Sequence, residues 1–583
     1  MNKYLKFEYW DTCDLGNIYY QGGQHFWFYL DGDVLEPFHE ETEDGQENGD
    51  GDFIPTYRRG MKRYRIRTGL VPDYMVDAIQ RMKLHDHIEL TFKTGEIEQV
   101  YNVDVEMEWQ FEKKCHQATV VLTFDMDEKI VVGACCDNLT VSEVDVYPGD
   151  TIPEPVDIGG YYVSTTGDDD TGDGSFDNPW ATWQKGFNEI VAGDTLYIRG
   201  GIYSPIGTFI YNPFGTDWYA CAGANNKSGT ALNPIIVRNY PGEVPILDGQ
   251  NNNAANNGGA GSRFQLLFRR CSYWHLYGLE VRNLLQLTDE IGVGVVRFFD
   301  YAHHNRLELL KVHDNGGSGI CFLYDCDDNY IINCDSYDNY DHLSVPTPGN
   351  NSDGIEIADI TVGTYKNYII GCRMWDNSDD GVDLMRNEGI VIIDKSWAFL
   401  NGVTSGHSAS GFKLGWVDDD PLTYQREVTN CISAYNTDPG YVCNNCNAKM
   451  KIYNNIAVGN DDHGFKWYNA RTNGASIIRN NVSYGNYQYQ FSYIDAFITF
   501  DHNSYDVNFE PTGPVASDAD YKSVVLSQLR AARRSDGSLP RVDCYHLTPG
   551  SDLVAAGTNV GLAADGDGDS WNATPSIGPF EYK

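Results

Sequence analysis

Positive charge is scarce in this sequence. Only 42 Lys and Arg stand against 83 Asp and Glu, a formal charge of −41. No basic block interrupts the acidity, which excludes a nucleic-acid binder, because such a surface repels a polyanion. Any other polyanionic partner needs a cation between it and the protein. Long apolar runs are missing too: nothing approaches the roughly 18 consecutive apolar residues of a membrane span, so no membrane partner is expected. The opening residues Met1 to Trp10 hold no apolar core followed by small residues, so no signal peptide is expected. Cysteines number 14 and are dispersed; without export they read as buried thiols rather than a disulfide framework. Cys135–Cys136 and Cys443/Cys446 are the tight spacings, and no matching ligands complete a zinc site around either. Disorder is excluded as well, since 41% apolar and 21% charged residues are ordinary for a folded chain.

What is there divides into parts. Residues 1–140 read as a small α+β domain. The acidic run Glu40–Asp52 is expected to be a solvated loop. Strand-like alternation follows from Arg63, then a helix starting near Pro72 with Met75, Ile79 and Met82 on one face. Alternation resumes in HIELTF, QVYNVDVEMEWQF and ATVVLTF. Residues 141–159 are rich in proline and acidic residues and read as a linker. Residues 160–583 form the second part.

That second part repeats. Asparagines at 283, 315, 339, 377, 401, 436, 460 and 486 recur, several at intervals near 24, with longer intervals reading as the same unit plus a loop. Cys334, Cys372, Cys431, Asn455 and Asn481 stand five residues before members of this series, and Asn333, Asn430, Asn454 and Asn480 six before. Stacked coils produce such like-on-like alignment, because each residue meets its counterpart one rung away. A glycine before an apolar residue is a second landmark, at Gly319, Gly354, Gly381, Gly411, Gly440 and Gly464. The segments between are short, β-branched or aromatic, and lack helical periodicity. The leucine-rich-repeat signature is absent. The fold expected is mainly β, a right-handed parallel β-helix preceded by the small α+β domain. Trp180–Val191, with Trp183, Phe187, Ile190 and Val191 apolar, is expected to be a helix capping its open end.

The register places chemistry. Two residues after the glycine landmark stand Glu356, Asp383, Lys413, Val442 and Lys466; one residue before it stand Asp353 and Asp380, with Asp379 adjacent. Neighbouring parallel strands lie about 4.8 Å apart, so Asp383 and Lys413 become neighbours with the other aspartates around one corner. Turn aspartates often do no more than bind local backbone. Four carboxylates in register on consecutive rungs, however, repel unless neutralised, and hard oxygen donors in this number favour Ca²⁺.

At these residues the sequence resembles the pectate lyases of polysaccharide lyase family 9. The pattern stands here as Asp353-Gly354, Asp379-Asp380-Gly381-Val382-Asp383 and Gly411-Phe412-Lys413-Leu414-Gly415. The opening YYVSTTG and the closing SIGPFEY, the latter expected as a last strand, extend the resemblance over about 160–583. It implies that Asp353, Asp379, Asp380 and Asp383 bind catalytic Ca²⁺ and that Lys413 is the general base. The implied substrate is an acidic polysaccharide, polygalacturonate or another uronate glycan, cleaved by β-elimination. The stretch TGLVPDYMVDAIQRMKLHDHIEL with VVGACCDN resembles a module on structural proteins of phages that infect Bacteroidetes. That implies a tailspike depolymerase made in the host cytoplasm and assembled with other virion tail proteins; a homotrimer follows only by analogy with other β-helical spikes.

Candidates for binding the substrate are Glu356, Arg386, His407, His463 and Lys466, with Arg373 and Arg471 as further cations. Trp375, Trp397 and Trp416 read as core aromatics, and the acidic loop Asp565–Asp569 lacks the glutamate of an EF-hand. Two alternatives stand beside the lyase. One is a glycan-binding adhesin whose aspartates hold structural Ca²⁺ only. The other is a glycoside hydrolase on the same fold, using Glu356 and Asp383 as its carboxyl pair.

Overall fold

The computed structural model describes the backbone of eight strands before residue 133. It describes in full residues 159–204, 222–249, 265–286, 294–345, 347–402, 408–415, 424–444, 447–467, 476–492, 494, 498–504 and 514–583, and the backbone of 505. The chain divides into two units, Met1–Pro153 and Glu154–Lys583.

In the first unit the described strands form two antiparallel four-stranded sheets. The alternating segments become His87–Thr91, Tyr101–Glu112 and Cys115–Val132. The acidic run departs from expectation. Most of it, from Glu40, lies in the strand Gly32–Glu47, paired with Phe53–Pro72. In that pairing Glu43 stands opposite Arg58 and Thr42 opposite Arg59. The helix expected after Pro72 lies outside the described residues.

The second unit is the expected solenoid. Its described strands form three parallel sheets of twelve, eleven and ten strands; the first, Tyr161–Val163, pairs with the next in sequence, Thr195–Ile198, and from there on each strand pairs with the one three later until its sheet ends. One coil is therefore three short strands and three turns. Period-two alternation sets which side chains enter: Lys366–Ile370 and Ile390–Asp394 bury Asn367, Ile369, Val391 and Ile393 while their neighbours stay outside. Identical positions then stack along the axis. Phe412, Tyr441, Phe465 and Phe491 lie ring on ring at 4.9, 4.6 and 4.8 Å. Each fully buried large apolar side chain contributes about 1.5–3 kcal/mol.

The asparagine series is a ladder of buried amides. Asn377 Nδ2 donates to Asn401 Oδ1 (3.0 Å), and Asn401 Nδ2 to Asn436 Oδ1 (2.9 Å). The same bond links Asn315 to Asn339, Asn339 to Asn377, Asn436 to Asn460 and Asn460 to Asn486. Each amide also accepts a backbone N–H, closing turns that would otherwise bury unpaired polar groups. Asn283 is a correction: it is left-handed at φ 56, and its successor Leu284 meets the ladder through its backbone N–H. The residues six before the ladder, Asn333, Asn430, Asn454 and Asn480, are all left-handed, a conformation asparagine tolerates.

The capping helix is Trp183–Glu189, begun by Thr182, whose side chain accepts from the Lys185 N–H. Trp183, Phe187 and Ile190 are buried, but Val191 lies beyond the helix and is exposed. At the other end, the closing SIGPFEY is not a strand. Ser576 and Gly578 instead accept bonds from the Asn454 side chain through their carbonyls, and Pro579 lacks the N–H a ladder needs. Residues 514–583 cover the outer face of the eleven-stranded sheet, packing Leu529, Tyr521, Tyr545 and Phe580 with Trp375, Trp397 and Phe399. Arg373 belongs to this seam rather than to a substrate site: it pairs with Asp335 and donates to the Leu529 and Ala531 carbonyls. All eight cysteines described in full are buried. Asp565 spends its carboxylate on the backbone N–H groups of Asp567, Asp569 and Glu581, closing a turn.

Candidate active site

The glycine landmarks open the strands of the ten-stranded sheet, and its register brings the chemistry together. Glu356 pairs with Asp383, Asp383 with Lys413, Lys413 with Val442 and Val442 with Lys466. A side chain on the glycine would strike the carbonyl of the next rung's glycine: for Gly354 that of Gly381 at 2.7 Å, for Gly381 that of Gly411 at 2.6 Å. The landmark is therefore what lets successive turns close tightly beside the aspartates.

These residues line a cleft of about 770 Å³. Lys413 Nζ donates to Asp380 Oδ2 (2.8 Å) and Asp383 Oδ2 (2.9 Å). Asp380 Oδ1 accepts from the Ser410 N–H (2.5 Å), and Asp353 accepts from the Asp380 N–H (3.1 Å) and the Ser318 hydroxyl (3.2 Å). Asp353, Asp380 and Asp383 are buried, and each offers an oxygen within 4.8 Å of the others. Asp379 lines the same cleft beside this triad.

Charge here is held at a cost. Burial, with Asp379, Asp383 and Asp380 close by, pushes the Asp353 carboxyl well above the ordinary carboxylate range. Burial and Asp380 do the same to Asp379. Burial raises Asp383 too, with Lys413 opposing. Glu356 is pushed up to about 7 by burial and Asp383. Burial works to lower the Lys413 pKa, but Asp380, Asp383, Asp353 and Asp379 together hold it well above the ordinary lysine range.

Whether these groups suit a cation can be judged from their atoms. Asp383 Oδ1 is buried with no hydrogen-bond partner, and of the three buried carboxylates Lys413 pairs with two, Asp380 and Asp383. An all-oxygen, multiply charged donor set of this kind fits Ca²⁺.

The remaining candidates separate. Arg386 and Lys466 line the cleft, pairing with Asp359 and Asp462 respectively. His463 is buried against Asp462, Nδ1 to Oδ1 2.7 Å, and is not among the described lining residues. His407, Trp416 and Arg471 lie outside the described residues. Sequence reasoning missed Arg297, Tyr324, Asp359 and Asp438, which also line the cleft. Arg297 continues the Glu356–Asp383–Lys413 column through Cys321, but Val295 replaces the landmark glycine on its rung, so nothing marked it.

Residues 161–481 match the family described as Pel9A-like, right handed beta helix region. Pectate lyase L of Dickeya dadantii (strain 3937) is 26% identical over 447 residues, covering 72% of this chain and 90% of that protein. Pectate lyase PEL9 of Emericella nidulans is 27% identical over 436 residues, covering 69% and 94%. Among solved structures, pectate lyase Pel9A aligns with TM-score 0.56 and 24% identity over 73% of this chain and 96% of that one. A rhamnogalacturonan lyase aligns with TM-score 0.53 and 26% identity over 67% and 96%. The class defined by fold, site and relatives is a polysaccharide lyase on a right-handed parallel β-helix. The match spans more than half of the chain, and the chain belongs to the Pel9A-like β-helix family.

Proposed function

We propose that the protein is a Ca²⁺-dependent lyase that cleaves a pectate-like or other uronate polysaccharide by β-elimination. One observation carries the reading: a single lysine sits between Asp380 and Asp383 in a cleft walled by further aspartates. Asp353, Asp379, Asp380 and Asp383 would hold Ca²⁺, whose charge would neutralise the C6 carboxylate of the substrate and so acidify the C5 proton. Lys413, as the free amine, takes that proton. The C5–H electron pair becomes the C4–C5 double bond, the C4–O4 bond breaks, and O4 leaves with a proton from solvent. An ordinary lysine, with pKa near 10.4, is a weak base at neutral pH. The aspartates hold Lys413 higher still, so the free amine is favoured in alkaline solution. The described cleft residues all belong to the second unit. For the first unit, the resemblance of its sequence to phage structural modules supports display on a virion tail, with assembly in the host cytoplasm.

The test is to incubate the protein with polygalacturonate and a panel of uronate glycans, with Ca²⁺ or with chelator. Ultraviolet absorbance of a 4,5-unsaturated product in the Ca²⁺ arm alone is expected. New reducing ends without that absorbance point to hydrolysis, and an intact glycan that still binds points to an adhesin.

A further inference from the structure

The cleft has two walls, and one of them is not acidic alone. Turns before the strands of the ten-stranded sheet supply Asp353, Asp379 and Asp380. Turns after them supply Tyr324, Asp359 and Arg386 on three successive rungs, joined by the Tyr324 N–H to the Ala358 carbonyl and the Asp359 N–H to the Met385 carbonyl (3.2 Å each). All three are left-handed, at φ 62, 56 and 51, where the chain bends sharply away from the floor.

Tyr324 lines the cleft with 47% of its surface exposed. Arg386 also lines it, with a side chain 56% exposed, yet its guanidinium is fixed: Nε and Nη2 donate to Asp359 Oδ1 (2.5 Å) and Oδ2 (3.1 Å). That bidentate pair orients the plane and leaves Nη1 to donate elsewhere. Tyr324 is within electrostatic reach of Arg386. An uncovered aromatic ring and an oriented guanidinium two rungs apart on one wall suit one chemistry well. The ring takes the apolar face of a pyranose, and the guanidinium takes its carboxylate.

We propose that Tyr324 and Arg386 form a uronate-binding subsite on the wall opposite the aspartates, where a sugar carboxylate is held directly by Arg386 without an intervening cation, and Asp359 is a positioning residue. The inference rests on the reading of the substrate as a uronate polymer. The subsite runs from the Asp383 rung away from Lys413, so it engages a neighbour of the sugar being cleaved.

The experiment compares wild type with Arg386→Ala, Arg386→Lys, Tyr324→Ala and Tyr324→Phe. It measures steady-state kinetics on polygalacturonate with Ca²⁺ and, alongside, retardation during electrophoresis through the same polymer. Arg386→Ala is expected to raise KM by about tenfold or more, the loss of a charge-assisted pair, while kcat stays within about twofold. That KM ratio should shrink as NaCl is raised, because the contact is partly solvated. Arg386→Lys should recover only part of the loss, since lysine cannot reproduce the fork. Tyr324→Ala should raise KM several-fold and Tyr324→Phe leave it near wild type. An unchanged KM for Arg386→Ala, a loss confined to kcat, or a ratio indifferent to salt overturns the subsite while leaving the lyase reading intact. If wild type is retarded but releases no unsaturated product, the lyase reading fails and retardation decides the subsite: lost in Arg386→Ala supports it, unchanged overturns it. A wild type neither retarded by nor active on any uronate overturns both.

Discussion

Asp383 and Lys413 are register partners on adjacent rungs, and Lys413 Nζ lies 2.9 Å from Asp383 Oδ2. The other oxygen of Asp383 is buried without a hydrogen-bond partner. One carboxylate thus faces the proposed base with one atom and has a second atom uncommitted, as a residue shared between a lysine and a cation would. Asp383→Asn removes that charge. Calorimetry is expected to show Ca²⁺ binding weakened by about tenfold or more, because affinity at oxygen sites follows ligand charge. Unchanged affinity would remove Asp383 from the cation site.

The buried carboxylates make stability depend on pH in a stated direction. Glu356 and Asp438 titrate at about 7 in the folded protein, against about 4 for ordinary carboxyls in an unfolded chain. Asp353 and Asp379 shift the same way. The folded state therefore holds extra protons from about pH 4 upward, and stability falls as pH rises through that window. His313, raised to about 9, adds a loss above its ordinary value in the same direction. Lys413 contributes stability that is lost only at far more alkaline pH. In chelator, Tm should be higher at pH 5 than at pH 8, and Ca²⁺ should raise Tm more at pH 8. A Ca²⁺ increment independent of pH would contradict the assignment.

Arg373 is expected to matter for the fold and not for the substrate. It is buried, paired with Asp335, and holds two carbonyls of the C-terminal segment. Arg373→Ala should destabilise the protein by about 3 kcal/mol, since it leaves part of a buried pair uncompensated. Limited proteolysis should then release residues beyond 514 more readily, with KM unchanged. A KM effect without a stability effect would restore the substrate role.

The amide ladder gives a second stability test. Asn401 is buried and its Oδ1 accepts both the backbone N–H and Nδ2 of Asn377, while its Nδ2 donates to the Met374 carbonyl and to Asn436. Asn401→Ala strands these groups in the interior and should cost about 3 kcal/mol, read by chemical unfolding of the solenoid. A loss below about 0.5 kcal/mol would show that the turns close without the ladder.

Much of this was legible because a solenoid turns sequence period into spatial neighbourhood. The glycine landmark placed Glu356, Asp383, Lys413 and Lys466 in one column, and the strand pairing reproduces that column rung for rung. What the period does not encode was not legible. Arg373 looks like a free cation in sequence, but residues 514–583 return over its rung, a contact some 156 residues away. Tyr324, Asp359 and Arg386 share a wall only through turn geometry, with no common residue type to align them. Asn283 fits the spacing and misses the ladder by one residue, because a period alone does not fix phase.

The central claim is that Lys413 removes the C5 proton. The most direct measurement is the rate of unsaturated-product formation by Lys413→Ala on polygalacturonate at saturating Ca²⁺, with Ca²⁺ binding followed in parallel. In that variant kcat is expected to fall by about 10²–10⁴-fold, the usual contribution of a positioned general base, with Ca²⁺ still bound and the fold intact. A near-wild-type rate in that variant would contradict it.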